Sequence, residues 1–149
     1  MQTWAGCAFP DDVLYDLDTD TWVSVLDDGI VRIGMTDVSQ SRCGRIVEVG
    51  WKMPSKIVKK SRPLCVIESA KWVGPMRSPL SGSIVANNRQ AFLADIAIAN
   101  RDPYGKGWFY MLQLANEDEL KGLANSEEAF RYYYKVIEET GLRCFRCEE

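Results

Sequence analysis

The sequence predicts a mainly β domain that ends in helices. Short β-prone segments separated by turn residues fill the chain as far as Leu114, and the apolar period then changes to that of a helix. A length of 149 residues with 46% apolar residues is enough for one domain with its own core. We therefore expect a single domain over 1–149, with a β core at about 15–114 and helices at about 116–141.

The first expected elements are a β-hairpin and a short helix. The hairpin covers 21–33, because Asp28-Gly29 supplies a positive-φ turn between two β-prone segments. Thr36 can cap the short helix, which Cys43-Gly44 then ends.

Further strands are expected along the rest of the β region. They lie at 45–51, 64–67, 83–86 and 108–114, with turn-rich segments at 74–75 and 100–107. The lysine-rich stretch 52–60 is expected to be a solvated loop or a sheet edge. The turn-then-strand segments 28–31 and 81–85 resemble each other, which suggests two sheets related by a weak internal repeat.

Two helices are expected after the last strand. Asn116 and Glu119 form a capping-box pattern for a first helix at about 117–124. A second helix, at about 127–140, is indicated by apolar residues that recur on one helical face before Gly141: Phe130, Tyr133, Tyr134 and Ile137.

Composition excludes several functions. The chain has no His, so a Ser/His/Asp triad, a Cys/His nucleophile pair, a Cys2His2 zinc finger and a histidine general base are all unavailable. A formal net charge of −3 gives no basic excess for phosphates, so no nucleic acid partner is expected. The longest apolar runs fall far short of the ~20 residues that cross a bilayer, so no membrane partner is expected either. Ala5-Gly6-Cys7 resembles a lipoprotein processing box but lacks a leader before it, and we expect a cytoplasmic protein.

The five cysteines are expected to be reduced, because an odd count without an export signal fits free thiols better than a disulfide framework. Cys43 and Cys65 lie in predicted packed elements, as small buried apolar residues do. Cys144 and Cys147 spell CxxC, which is a redox pair or half of a zinc site, but no second CxxC or His completes four ligands. The expectation is that they are incidental terminal cysteines; the roles of Cys7, Cys144 and Cys147 stay open.

An ordered set of motifs resembles the H-protein family of the glycine cleavage system. The motifs are Glu68-Ser69-Ala70-Lys71, the segment 78–82 with Gly82 eleven positions after that lysine, and the run 100–108. The match as a whole runs over about 15–124. The resemblance implies a lipoyl-type fold, a flattened barrel of two antiparallel sheets (a barrel-sandwich hybrid), with lipoic acid in amide linkage on Lys71.

The turn signal at Gly74-Pro75 places Lys71 at or near a hairpin tip. We expect Lys71 to be exposed, with Val66 and Ile84 buried beneath it, because a modifying enzyme must reach the amine while the strands stay anchored.

The resemblance implies a non-catalytic carrier whose lipoyl-lysine swings between partner enzymes. Its dithiolane supplies the chemistry, so the protein needs no His, metal or base of its own. The implied partners are a lipoate–protein ligase, dihydrolipoamide dehydrogenase and either the glycine cleavage enzymes or a heterodisulfide-reductase-like complex. Four residues are expected to present the turn to the ligase and partners: Glu68, Ser69, Trp72 and Gly82. For Trp72 the alternative is a turn residue that packs on its own hairpin.

The residues after Lys71 indicate a branch of the family. The run 71–75, with Gly6-Cys7, resembles the lipoate-binding proteins of bacterial sulfur oxidation, which implies a cargo of sulfur intermediates handed to the heterodisulfide-reductase-like complex. The alternatives are a glycine cleavage H protein that carries an aminomethyl group and an unmodified interaction domain. A biotin carrier would have Met where Ala70 and Trp72 stand, and a stand-alone enzyme would need titrating groups that the sequence does not bring together.

Overall fold

The computed structural model describes residues 1–148, in which eleven strands form three antiparallel sheets. The strands are β1 (Gln2–Trp4), β2 (Cys7–Phe9), β3 (Leu14–Asp16), β4 (Thr21–Val25), β5 (Ile30–Met35), β6 (Ile46–Gly50), β7 (Ile57–Val58), β8 (Pro63–Ser69), β9 (Val73–Arg77), β10 (Gly82–Asn87) and β11 (Tyr110–Leu114). The helices are α1 (Asp37–Cys43), α2 (Arg89–Ala94), α3 (Ile98–Arg101), a 3-10 helix at Glu117–Gly122 and α4 (Ser126–Thr140). The expected mainly β fold with a C-terminal helix is confirmed.

The sheets pack as two main layers and one small hairpin. The six-stranded sheet has the order β3-β4-β5-β11-β10-β7, the three-stranded sheet has the order β6-β8-β9, and β1 pairs with β2 alone. The main core lies between the two larger sheets, with Ile33 and Leu112 from one sheet and Leu64 and Ile67 from the other. The expected flattened arrangement is present, but the sheets do not close into a barrel.

Local turn and cap residues act as the sequence predicts. Asp28 and Gly29 both have positive φ, 58° and 73°, between β4 and β5. The hydroxyl of Thr36 accepts the N–H of Ser39 at 3.1 Å and begins α1, and Gly44 ends it at φ 77°.

Some expected elements differ in the structure. The segments 28–31 and 81–85 lead into β5 and β10 of the same sheet, so they do not mark two related sheets. The first C-terminal helix is a 3-10 helix that Asn116 caps through the N–H of Asp118. The Glu119 carboxylate does not complete the expected capping box, because it accepts the N–H of Ser81 at 2.8 Å. The capping box belongs to Asn125 and Glu128 at the start of α4.

Two short helices, α2 and α3, stand where the sequence predicts a loop or no element. Each has a single turn or little more, and neither has a side-chain cap, so local sequence signals are weak there. Tertiary packing compensates, because Phe92 of α2 and Ala99 of α3 are both buried in the main core.

A second apolar cluster packs α4 against the N-terminal hairpin. Tyr133 and Ile137 of α4 are buried against Phe9 and Trp22. The rings of Phe9 and Tyr133 are stacked, with centroids 5.7 Å apart. This contact explains the helical stripe in the sequence, since that stripe is the face of α4 that covers the β1–β2 hairpin.

Candidate functional site

Lys71 lies in the tight turn that joins β8 to β9, and the turn residues Ala70, Lys71 and Trp72 are all exposed. The N–H of Ser69 donates to the Trp72 carbonyl at 2.7 Å and closes the turn. The Ser69 hydroxyl donates to the same carbonyl at 3.2 Å and accepts the N–H of Lys71 at 3.3 Å. Ser69 therefore fixes the turn from inside, where it is buried.

The turn is tied to the chain that follows α1. The N–H of Ala70 donates to the Arg45 carbonyl at 2.9 Å. The stem of Lys71 lies over Gly44, where a Cβ would stand 3.1 Å from Lys71 Cε. A neighbouring strand end and a helix end therefore support the turn while the lysine side chain remains exposed.

Asn100 holds that support in place, although the sequence assigns it only to a turn-rich loop. It is buried, its Nδ2 donates to the Gly44 carbonyl at 2.8 Å, and its Oδ1 accepts the N–H of Ile46 at 3.0 Å. Asn100 thus satisfies backbone groups on both sides of Arg45, the residue that anchors the turn. The only sequence signal for Asn100 was its place in the 100–108 motif. That motif does not indicate that Asn100 bonds to the segment 44–46.

Of the other expected recognition residues, two lie on the Lys71 hairpin and one lies in the other sheet. Glu68 is exposed on β8, directly before Ser69. Trp72 is 43% exposed, and its ring covers Gly74 of its own hairpin, where a Cβ would stand 2.2 Å from the ring. Gly82 is buried in β10 of the six-stranded sheet, so it does not lie on a strand that adjoins the Lys71 turn.

Burial beneath the turn follows the strand alternation. Ile84 is buried as expected, but the expectation that Val66 is buried is wrong, because it is 51% exposed. Cys65 and Ile67 are the buried residues of that part of β8. A continuous apolar run does not reveal which alternate residues face the core, and the pairing of β8 with β6 and β9 decides it.

Gly82→Ala is expected to lower the free energy of unfolding by about 1–3 kcal/mol. A Cβ at Gly82 would lie 2.2 Å from the backbone carbonyl oxygen of Gln113, so β10 and β11 would have to separate. Urea unfolding measures the loss. Gly50→Ala is the matched strand control, since its Cβ would meet only the Val66 carbonyl at 3.8 Å; equal losses in the two variants would contradict the steric argument.

A cavity of about 310 Å³ opens beside the turn, between α1 and the β8–β9 hairpin. Its apolar walls come from both sheets: Met35, Ile67 and Met76. Trp72 of the turn also lines it, and Asp20 and Arg42 form an ion pair at 2.8 Å on its polar side. The cavity therefore offers an apolar space with one charged wall next to an exposed lysine.

Burial raises the pKa of the Asp20 carboxyl, even though it accepts hydrogen bonds from Tyr133 and Arg42. Folding then favours the protonated form, and this stabilisation is complete below the ordinary value of 3.8 and is lost as pH rises through the raised pKa. We therefore expect the free energy of unfolding of Asp20→Asn, relative to that of the parent, to increase as the pH rises from 3.8 through the raised pKa. Urea unfolding from about pH 3 to pH 7 measures the difference; a difference that falls with pH would contradict the prediction.

A group of cysteine side chains lies beside Asp37 and Ser41 of α1. Cys144 and Cys147 form a disulfide, so the expectation that all cysteines are reduced is wrong for this pair. The turn at the end of the chain brings their Cα atoms to 5.3 Å, a separation that a disulfide spans. Cys7, Cys43 and Cys65 are free and buried, and burial was expected for Cys43 and Cys65. Burial raises the pKa of the Cys7 thiol to about 11.

Within residues 1–148, no helix is both long and apolar enough to span a bilayer.

Comparisons with known proteins agree with the geometry. A family model described as glycine cleavage H-protein matches residues 14–136. The chain is 38% identical over 145 residues to glycine cleavage system H protein 2 of Aquifex aeolicus, which covers 97% of this chain and 89% of the relative. It is 33% identical over 150 residues to probable glycine cleavage system H protein 2 of Sulfolobus acidocaldarius, covering 99% and 100%. A crystal structure of a glycine cleavage system H protein from Mycobacterium marinum matches with a TM-score of 0.73 and 30% identity, over 83% of this chain and 98% of that one.

Proposed function

The chain belongs to the glycine cleavage H-protein family, and from this membership we propose that Lys71 carries lipoic acid in amide linkage. Proteins of this family are non-catalytic carriers, and the lipoic acid is attached covalently to a lysine. The observation that carries the proposal is the position of Lys71, exposed in a closed turn between two paired strands.

The residues around Lys71 fit this modification. Among the residues described, Lys71 forms no salt bridge, so acylation of its amine removes a charge without leaving a partner carboxylate unpaired. The backbone bonds of Ser69 and Ala70 involve no lysine side-chain atom, so they remain after modification.

When bound, lipoic acid supplies the redox and group-transfer chemistry, which the side chains of the turn do not. The chain's own contribution is presentation. Ser69 closes the turn, Gly44 leaves room for the lysine stem, and the cavity lined by Trp72 adds an apolar surface beside it. The protein thus acts as a rigid support for a long, mobile side chain.

Intact-mass measurement after incubation with a lipoate–protein ligase, lipoic acid and ATP tests the attachment. One increment of about 188 Da is expected, with the loss of one positive charge. Peptide mapping should place it on Lys71. An unmodified chain after complete modification of an authentic H protein, or an increment on another lysine, would overturn the assignment.

The proposed cargo is a sulfur intermediate passed to a heterodisulfide-reductase-like complex. The surface after Lys71 supports this, because Trp72 and Val73 are 43% and 64% exposed and Pro75 is exposed beside them. An aromatic and a stiff proline restrict which partners can dock there. Relatives include H proteins 2, 3 and 5 of Aquifex aeolicus, so one organism holds several such carriers.

The alternative cargo is the aminomethyl group, with the glycine cleavage enzymes and dihydrolipoamide dehydrogenase as partners. Glycine exchange with a glycine decarboxylase, beside an authentic H protein, separates the two. We expect weak exchange by the lipoylated chain, and exchange equal to the authentic protein would overturn the sulfur proposal. Deletion of the gene should abolish thiosulfate oxidation and leave growth on glycine unchanged, and the reverse pattern would assign the chain to glycine cleavage.

A further inference from the structure

Three side chains that are remote in sequence meet beside α1, away from the Lys71 turn. The Sγ atoms of Cys7 and Cys144 and a carboxylate oxygen of Asp37 lie within 4.8 Å of one another, and all three residues are buried. Cys147 is bonded to Cys144 and adds a third sulfur to the group. We call Cys7, Asp37, Cys144 and Cys147 the cysteine cluster.

Specific contacts hold the terminal segment in this cluster. The Arg146 guanidinium donates to both Asp37 oxygens, at 2.9 Å from Nε to Oδ1 and 2.7 Å from Nη2 to Oδ2, and Nη2 also donates to the Gly6 carbonyl at 3.1 Å. The N–H of Phe145 donates to the Ser41 hydroxyl at 3.0 Å. These contacts do not depend on the disulfide, so the segment keeps its place when the disulfide is reduced.

Gly6 is the residue that lets the segments approach. It has φ 86°, and a Cβ there would lie 2.8 Å from Cys147 Sγ and 2.9 Å from Cys144 Cβ. A side chain at this position would push the CxxC segment away from Cys7. The N-terminal turn is therefore shaped to bring a third sulfur to the pair.

The ligand types and spacing are those of a zinc site. Cys-x-x-Cys is a common zinc-binding pair, and the fold adds a third cysteine and a carboxylate to complete four ligands. In a tetrahedral zinc site the ligand atoms lie about 3.5–3.8 Å apart, so the ligand atoms of Cys7, Asp37 and Cys144 need to approach by at most about 1 Å. The sulfurs of Cys144 and Cys147 move apart once their bond is reduced. Asp37 is oriented by hydrogen bonds from the Ala8 N–H and the Gln40 amide, at 2.8 Å each, as carboxylate ligands commonly are.

We propose that the reduced protein binds one Zn²⁺ through the Sγ atoms of Cys7, Cys144 and Cys147 and a carboxylate oxygen of Asp37. A dithiol transfers two electrons to the Cys144–Cys147 disulfide, giving two thiols and its own cyclic disulfide. Zn²⁺ then replaces the protons of three thiols, which are released to solvent. The disulfide and the zinc site are alternative states of the same residues, and neither requires lipoic acid on Lys71.

The charges of the site also fit a divalent ion. Three thiolates and one carboxylate carry four negative charges, of which Zn²⁺ offsets two and the neighbouring Arg146 one. Thiolate-rich sites select zinc over harder ions such as Mg²⁺.

Titration of the reduced, metal-free full chain with Co²⁺ and then Zn²⁺ tests the proposal. Reduction uses a phosphine, which becomes the phosphine oxide with oxygen from water and is then removed. We expect one Co²⁺ per chain, with thiolate-to-cobalt absorption and the intense visible bands of a tetrahedral site, and displacement by one Zn²⁺. The oxidised chain should not bind. Reduced chain that takes up no stoichiometric metal would overturn the proposal.

Variants identify the ligands. Cys7→Ser and Cys147→Ser are each expected to weaken Zn²⁺ binding by more than about 100-fold, beyond the loss for an outer-shell partner. Cys65→Ser, at a buried cysteine outside the cluster, should retain one equivalent. Cys7→Ser with unchanged affinity would overturn the proposal. If Cys7→Ser does not fold, alkylation of the reduced parent decides, because Zn²⁺ should protect Cys144 and Cys147 and equal labelling with and without Zn²⁺ would exclude the site.

Discussion

Replacing Lys71 by Arg is expected to abolish the increment of about 188 Da that a lipoate–protein ligase gives the parent chain. A guanidinium remains protonated at any pH the protein tolerates, so Arg offers no free amine to acylate. It keeps the positive charge and a long stem over Gly44, so the turn itself should be preserved. Intact mass after the ligase reaction measures the result.

Lys106→Arg is the matched control for this prediction. Lys106 is also an exposed turn lysine, but its turn lies between α3 and β11. The control should accept one lipoyl group as the parent does. Both variants should unfold within about 0.5 kcal/mol of the parent, since both positions are exposed. An increment that persists in Lys71→Arg, or disappears in Lys106→Arg, would place the attachment elsewhere.

Asp37→Ala is expected to lower the free energy of unfolding by about 3–5 kcal/mol in the oxidised, metal-free protein. Asp37 is fully buried and accepts hydrogen bonds from the Ala8 N–H, the Gln40 amide and the Arg146 guanidinium. Its removal leaves these donors without an acceptor in a water-poor site, and a partly buried cation without its partner. Urea unfolding with a common m-value measures the loss.

Asp118→Ala is the surface comparison. Asp118 pairs with Lys121 at 3.4 Å, and both side chains are mostly exposed, so water replaces the pair when it is removed. The expected change is at most about 0.5 kcal/mol, as for other surface substitutions. Similar losses in the two variants would show that Asp37 does not act as a buried anchor of α1 and the terminal segment.

The elements that the sequence predicts well are those coded by neighbouring residues. Asp28-Gly29 forms its turn because the positive φ values are a local property of those two residues. Thr36 caps α1 and Gly141 ends α4 in the left-handed region, again through contacts within one helical turn. The Lys71 turn is also closed by local bonds between 69 and 72. The expected turn signal at 74–75 was wrong, however, because Gly74 and Pro75 pair with β8 inside β9.

Predictions that needed a partner strand or helix were less accurate. Val66 lies in an apolar run, and only the pairing of β8 with its neighbours turns that residue outward. Glu119 fits a capping box, but its carboxylate accepts the N–H of Ser81, which directly precedes β10. The helices α2 and α3 form because Phe92 and Ala99 reach the main core, which no short window of sequence indicates.

The sequence by itself determined the β-rich order of elements, the C-terminal helix and the lysine in a tight turn, because spacing and turn chemistry act over a few residues. Only the tertiary structure decided what surrounds them. Asn100 supports the backbone beside the Lys71 turn, and Cys7 meets Asp37 and Cys144 from opposite ends of the chain. Local periodicity indicates which face of a segment is apolar. Which distant segments meet is decided by the packing of whole elements, which must offset the entropic cost of closing the loops between them. The sequence therefore indicates only an isolated CxxC pair, and the fold places Cys7 and the Asp37 carboxylate beside it.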